Sequence, residues 1–89
     1  MKHYRIRVSG KVQGVFYRAS TQEKAQVLNL SGWVKNEADG SVSIEAEGSE
    51  ANLEQLLEWC RSGPPRATVD QVDFVEGALQ HYDGFIVKR

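Results

Sequence analysis

Several common features are scarce in this chain of 89 residues, and each absence excludes a class of protein. Cys60 is the only cysteine, so the chain can form neither an internal disulfide nor a cysteine-based zinc site. No apolar run is long enough to span a bilayer, and the N-terminus lacks the apolar segment of a secretory signal. We therefore expect a cytoplasmic protein with no membrane partner.

A surplus of basic residues is also missing. Lys and Arg total 11 against 12 for Asp and Glu, which gives a net charge of −1. Domains that bind nucleic acid usually have a clearly basic balance, so we expect no nucleic-acid partner. The hydrophobic content of 40% is enough for one modest core, and the length predicts a single domain over residues 1–89.

Hydrophobic periodicity predicts alternating strands and helices along the chain. Ser49 is a candidate N-cap for the clearest helix, in which Leu53, Leu56, Leu57 and Cys60 follow helical spacing. Asp39-Gly40 indicates a tight hairpin turn. The predicted strands are 3–8, 32–35, 42–47, 68–76 and 85–88, and the predicted helices are 16–28 and the segment after Ser49.

This order predicts an α+β, ferredoxin-like βαββαβ sandwich with a short fifth edge strand. Two helices would cover one face of an antiparallel sheet. Strands one and two would both run antiparallel to strand three, so their C-terminal ends would lie at the same sheet edge. The topology therefore predicts that the loop Gly10–Arg18 lies beside Asn36.

Three smaller expectations concern the sheet. The apolar residues of the fourth strand change phase between Val69 and Val72, which indicates a bulge. The acidic residues Glu45, Glu47 and Glu50 are expected to form an exposed patch. The outward face is expected to lack aromatic residues, with Trp33 packed in the structure. The outward positions are Arg5, Arg7, Ser43, Glu45 and Glu47.

The stretch GKVQGVFYR, from Gly10 to Arg18, joins the first strand to the first helix. Gly10 and Gly14 allow backbone conformations that point successive N–H groups into one concavity, which suits an anion. The helix N-terminus favours negative charge, and the planar guanidinium of Arg18 can bind two phosphate oxygens. A purely structural turn would explain the glycines, but the combination with Arg18 favours an anion site.

Asn36 stands before the predicted hairpin, where asparagine is usually a turn residue. Its amide can also donate and accept hydrogen bonds, so it could hold a water molecule in a fixed orientation. It cannot act as a general base, because an amide takes no proton near neutral pH.

Two segments resemble the signatures of the acylphosphatase family. Gly10–Arg18 matches the pattern G-x-V-Q-G-V-x-[FY]-R, and Gly32–Val42 matches G-[FW]-V-x-N-x-x-[DN]-G-x-V. Both matches are complete, lie in the family's order and have its spacing. The resemblance extends over the whole chain, including its length and its predicted element order.

The resemblance implies hydrolysis of small acyl phosphates to a carboxylate and inorganic phosphate, without a metal or another cofactor. Arg18 would bind the phosphoryl group and Asn36 would orient the attacking water. The resemblance also implies a phosphate-binding loop of backbone N–H groups from Gln13, Gly14, Val15, Phe16, Tyr17 and Arg18. Nothing in the sequence requires more than a monomer.

The alternative is a non-catalytic ferredoxin-like module that binds an anion or RNA. RNA-recognition domains of this topology need aromatic residues on the open sheet face and usually a basic balance. The expected outward positions favour the enzyme over this alternative.

Overall fold

The computed structural model describes all 89 residues and contains two helices and a five-stranded sheet. The strands are β1 (Lys2–Lys11), β2 (Ser31–Asn36), β3 (Val42–Gly48), β4 (Thr68–Gly77) and β5 (Phe85–Val87), and the helices are α1 (Tyr17–Val27) and α2 (Glu50–Cys60). The strand order is β4-β1-β3-β2-β5, which confirms the predicted ferredoxin-like fold. Neither helix has the length and apolar character needed to cross a membrane.

The direction of the strands explains how distant residues meet. β1 and β2 both pair antiparallel with β3, so they run in the same direction, as predicted. In register, Val8 and Asn36 both pair with Val42, one from each side. The loop that follows β1 therefore begins beside the end of β2. β5 pairs with β2 in parallel, so the expectation of an entirely antiparallel sheet is wrong at this edge.

Both helices pack on the sheet face that presents Tyr4, Ile6 and Val8. α1 buries Tyr17, Thr21 and Ala25, which lie one turn apart on a single stripe. The apolar stripe of α2 is buried as predicted, and each fully buried leucine there contributes about 1.5–3 kcal/mol of hydrophobic stabilisation. The predicted stripe residues of α2 are Leu53, Leu56, Leu57 and Cys60.

The boundaries of α2 follow local chemistry. The Ser49 hydroxyl accepts a hydrogen bond from the Asn52 N–H at 3.2 Å, which confirms the predicted N-cap. The helix ends at Cys60, and Gly63 adopts φ 64° while its N–H donates to the Trp59 carbonyl at 2.8 Å. This left-handed glycine closes the helix before the two prolines that follow it.

The predicted bulge lies where β4 passes the end of β1. Ser9 pairs with Gln71 and Gly10 pairs with Val69, so Asp70 is the extra residue. Gly10 has φ 127°, and a Cβ there would lie 2.3 Å from the Thr68 carbonyl oxygen. The close approach of β4 therefore requires glycine at the start of the loop.

The face opposite the helices is not open along its whole length. The connection from β4 to β5, residues 78–84, crosses it from one sheet edge to the other and covers Glu47. Glu47 is only 1% exposed and accepts hydrogen bonds from the backbone N–H groups of Gln80 and Tyr82. The expectation of an exposed acidic patch is therefore wrong at Glu47, because these donors and His3 replace its hydration.

His3 and Trp33 complete this covered region. The His3 ring is buried between two carboxylates, with Nδ1 2.7 Å from Glu47 Oε2 and Nε2 3.1 Å from Glu45 Oε1. Trp33 pairs with Glu45 across the β2–β3 ladder and so shares its face, where its Nε1 donates to the Tyr82 hydroxyl at 3.2 Å. The expectation that the outward face lacks aromatic residues is wrong at Trp33.

Candidate active site

The loop between β1 and α1 presents a row of backbone N–H groups without protein partners. No N–H from Gln13 to Arg18 donates a hydrogen bond to a backbone carbonyl, and no side chain caps α1. Gly14 has φ 74° and Phe16, the N-cap residue, has φ 66°. These left-handed residues turn the chain sharply into the helix, so the donors include the free N-terminus of α1.

Arg18 lies in the first turn of α1, beside these donors. Its Nη1 donates to the Lys88 carbonyl oxygen at 3.1 Å, just beyond β5. This single bond anchors the side chain and leaves the other guanidinium N–H groups of Arg18 available. No carboxylate forms a salt bridge with Arg18, so its positive charge is not neutralised within the protein.

Asn36 is the last residue of β2, and its side-chain oxygen has no hydrogen-bond partner in the protein although the atom is buried. A buried carbonyl oxygen without a donor is rare. Asn36 and Arg18 line the same cavity, whose volume is about 320 Å³. The cavity is lined by Val12, Gly14, Phe16, Tyr17, Arg18, Ala19, Asn36 and Val87. The two candidate catalytic side chains are thus brought together, as the topology predicted.

The remaining loop residues differ in what they present to this cavity. Val15 and Tyr17 are buried, so their side chains belong to the core and only their backbone is available. Phe16 is 69% exposed at the cavity. Lys11 is exposed and does not line it. Thr21 donates to the Tyr17 carbonyl at 2.7 Å, which makes it a packing residue of α1.

The side chain of Gln13 connects the two halves of the site. Its Nε2 donates to the carbonyl oxygens of Glu37 at 2.8 Å and Ser41 at 2.9 Å. These residues flank the hairpin that follows Asn36, and Asp39 closes this turn by accepting from the Ser41 N–H at 2.9 Å. Sequence reasoning assigned only the backbone of Gln13 to the site. An amide side chain in an otherwise apolar and glycine-rich loop was the signal for this second role.

Ionisable groups near the loop are poor candidates for a nucleophile or a base. The Tyr17 hydroxyl donates to the Cys60 carbonyl at 2.8 Å, and burial raises the pKa of Tyr17 well above its usual range. Burial also raises the pKa of the Cys60 thiol to about 12, so it stays protonated. The cavity lining includes no carboxylate, imidazole or thiol.

Unpaired backbone N–H groups, an arginine and a side-chain amide oxygen surround one cavity of this α+β sandwich. These are the features of a small enzyme that acts on phosphate groups. A family model described as Acylphosphatase matches residues 4–87. The acylphosphatase of Marinobacter nauticus is 56% identical over 86 residues, covering 96% of this chain and 94% of that protein.

Solved structures agree with the sequence comparison. The acylphosphatase of Bacillus subtilis superimposes with a TM-score of 0.97 at 39% identity and covers 100% of both chains. That of Coxiella burnetii gives a TM-score of 0.95 at 42% identity, over 98% of this chain and 92% of that one. The chain belongs to the acylphosphatase family, and it is a hydrolase of acyl phosphates.

Proposed function

We propose that Arg18, Asn36 and the loop Gln13–Arg18 form the catalytic site, and that it hydrolyses small acyl phosphates by direct attack of water. The observation that supports this most strongly is the coincidence of three unsatisfied features. Unpaired backbone N–H groups, an unneutralised guanidinium and a buried amide oxygen all lie at one cavity. A phosphoryl group with an attacking water supplies the partners that these groups lack.

The phosphoryl oxygens bind to the loop N–H groups and to the guanidinium of Arg18. Donors fixed by the fold need no reorganisation as charge shifts during the reaction, which is why such groups stabilise transition states. The Lys88 carbonyl oxygen accepts a hydrogen bond from one side of the Arg18 guanidinium, so this planar group is already oriented before substrate binds. Metaphosphate-like transfer depends mainly on positioning and electrostatic stabilisation of this kind.

Asn36 accepts a hydrogen bond from the attacking water through its buried Oδ1. This bond leaves a lone pair of the water directed at phosphorus. The water oxygen forms the new P–O bond while the bond between phosphorus and the acyl oxygen breaks. The carboxylate leaves with that electron pair, and the water proton passes to a phosphoryl oxygen. The cavity offers no protein base, and a carboxylate is a good enough leaving group that none is needed.

The site is built from one chain, which supports a monomer as the working unit. We further propose that residues 1–89 act as one domain, supported by the core that both helices share with the sheet. A cytoplasmic location is supported by the free, buried thiol of Cys60. The absence of a nucleic-acid partner is supported by Arg5 and Arg7, which pair with Glu45 and Asp39 on the outward face.

Three variants test the site assignment with benzoyl phosphate as substrate and a chelator present. Arg18→Ala should lose both turnover and inhibition by inorganic phosphate, because the phosphoryl ligand itself is removed. Asn36→Ala should lose about 10²–10³ in kcat, the usual effect of deleting one fixed polar group, while inhibition by phosphate persists. Arg18→Lys should also be poor, because a point charge does not reproduce the planar fork.

Three results would contradict the assignment. Near-normal turnover in Asn36→Ala together with lost phosphate inhibition would show that Asn36 binds the phosphate and does not orient the water. Full activity in Arg18→Lys would remove the argument for bidentate binding. No hydrolysis by the wild type in the presence of chelator would refute the metal-independent mechanism.

A further inference from the structure

Phe16 combines two features that surface residues normally avoid. Its large apolar side chain is 69% exposed. Its backbone is left-handed, with φ 66° and ψ 21°, a conformation that glycine and asparagine adopt readily and phenylalanine does not. The side chain neither caps α1 nor joins the core. Residues in such sparsely populated conformations cluster at functional sites.

The cavity beside Phe16 is lined by two chemically different sets of groups. Arg18 and Asn36 supply the polar set, together with the loop N–H groups. The apolar set consists of Val12 and Tyr17, which are buried, and of Phe16, Ala19 and Val87, which have exposed surface. An acyl phosphate has the same division, because a charged phosphoryl group is joined to an organic acyl group.

We propose that Phe16, together with Val87, forms an apolar subsite for the acyl group, which selects aromatic acyl phosphates over acetyl phosphate. The inference rests on the proposed function, which places the phosphoryl group at Arg18 and the loop. The acyl group then contacts the remaining lining, of which Phe16 is the largest exposed apolar side chain. A volume of about 320 Å³ is within the range of small-ligand sites, about 300–1,000 Å³.

Phosphate binding alone does not explain a phenylalanine at this position. The loop signature that this chain matches leaves the position of Phe16 open. The backbone N–H of any residue could serve the phosphoryl group, and Gly14 shows that the same loop uses glycine at another positive φ. The aromatic ring is therefore the part that requires a function, and a ring at a cavity mouth stacks on planar apolar groups. Stacking of two aromatic groups corresponds to about a three- to tenfold preference.

The experiment compares two substitutions that separate the ring from the backbone. Phe16→Asn removes the ring but suits the left-handed backbone, whereas Phe16→Tyr retains the ring. Two ratios are measured: kcat/KM for benzoyl phosphate against acetyl phosphate, and Kd for phenylphosphonate against methylphosphonate by titration calorimetry. We expect Phe16→Asn to reduce the aromatic preference about three- to tenfold in both ratios, and Phe16→Tyr to retain it. Ratios cancel any effect that the substitution has on phosphate binding itself.

Val27→Asn is the matched control, because Val27 is an apolar residue of α1 that is 80% exposed and lies outside this cavity. It should keep both wild-type ratios. Unchanged ratios in Phe16→Asn would overturn the subsite, as would wild-type protein that binds neither phosphonate. If the phosphonate ratio falls in Phe16→Asn but neither acyl phosphate is hydrolysed by the wild type, the subsite stands and the proposed mechanism fails.

Discussion

Replacing Gln13 with methionine should uncouple the proposed phosphate-binding loop from Asn36, the residue proposed to orient the attacking water. Methionine has a similar shape but cannot donate the two hydrogen bonds to Glu37 and Ser41, at 2.8 and 2.9 Å. These bonds are the side-chain link between the loop and the hairpin after Asn36. The backbone N–H of residue 13 is retained, so the proposed donors for the phosphoryl group remain in place.

The size of the stability effect follows from the hydrogen bonds that remain. The Ser41 carbonyl still accepts from the Glu37 N–H at 2.8 Å, and the Glu37 carbonyl still accepts from the Gly40 N–H at 3.2 Å. Neither oxygen is left without a partner, so each lost bond should cost about 1 kcal/mol. A total of about 2 kcal/mol corresponds to a fall in Tm of roughly 8–16 °C for a domain of this size.

The effect on turnover should be larger than the effect on phosphate affinity. A displacement of about 1 Å at a positioning group can reduce a rate by roughly 10²-fold. We therefore expect Gln13→Met to lower kcat by about 10–100-fold, because Asn36 is no longer held relative to the loop. Inhibition by inorganic phosphate should change much less, because Arg18 and the loop N–H groups are unaltered.

A double-mutant cycle with benzoyl phosphate tests whether Gln13 acts through Asn36. In an Asn36→Ala background, Gln13→Met should lower kcat little further, since the positioned group is already absent. Asn52→Leu is the control: it removes one side-chain bond to the Leu28 carbonyl, 2.9 Å long and outside the cavity. This control should lose stability and keep kcat. Additive effects of the Gln13 and Asn36 substitutions would refute the coupling.

Two further predictions concern the framework. Gly10→Ala should prevent stable folding, because its Cβ would lie 2.3 Å from the Thr68 carbonyl oxygen. The Cβ of Gly14→Ala would have no atom within 4 Å, so only backbone strain should lower the free energy of unfolding, by about 1–3 kcal/mol as measured by urea unfolding. Burial opposes ionisation of Glu47, but hydrogen bonds from Gln80, His3 and Tyr82 outweigh it and lower its pKa below 4.5. The stabilisation from a lowered pKa is present above pH 4.5 and is lost as the pH falls through the folded-state pKa. Glu47→Gln should therefore reduce the fall of the unfolding free energy with decreasing pH in this acidic range. An unchanged fall would contradict the role assigned to Glu47.

Much of the fold was predictable because local patterns and topology agreed. The alternation of Tyr4, Ile6 and Val8 and the helical spacing in α2 each identified a buried face, and the change of phase in β4 identified the bulge at Asp70. The meeting of Asn36 with the loop followed from strand direction alone, since β1 and β2 flank β3.

The crossing of the outward face was not predictable from those patterns. Residues 78–84 have no hydrophobic periodicity that shows where the connection lies. An acidic residue at an outward position of a strand is predicted to be exposed. Glu47 is buried because backbone N–H groups from a distant segment reach it, a contact that depends on tertiary structure. The parallel pairing of β5 with β2 has the same origin, because this connection carries the chain to the far sheet edge.

Gln13 links the two halves of the candidate site within a small protein. Its backbone belongs to the row of unpaired N–H groups, and its side chain is bonded to the hairpin after Asn36. Leaving polar groups unpaired generally destabilises a fold by about 1–3 kcal/mol each when they are buried, as the Asn36 oxygen is. A side-chain link from within the same loop offsets part of that cost and fixes the distance between the two halves. If the proposed site is correct, stability and turnover both depend on Gln13, and a substitution that removes its two side-chain bonds should lower both in the wild-type background.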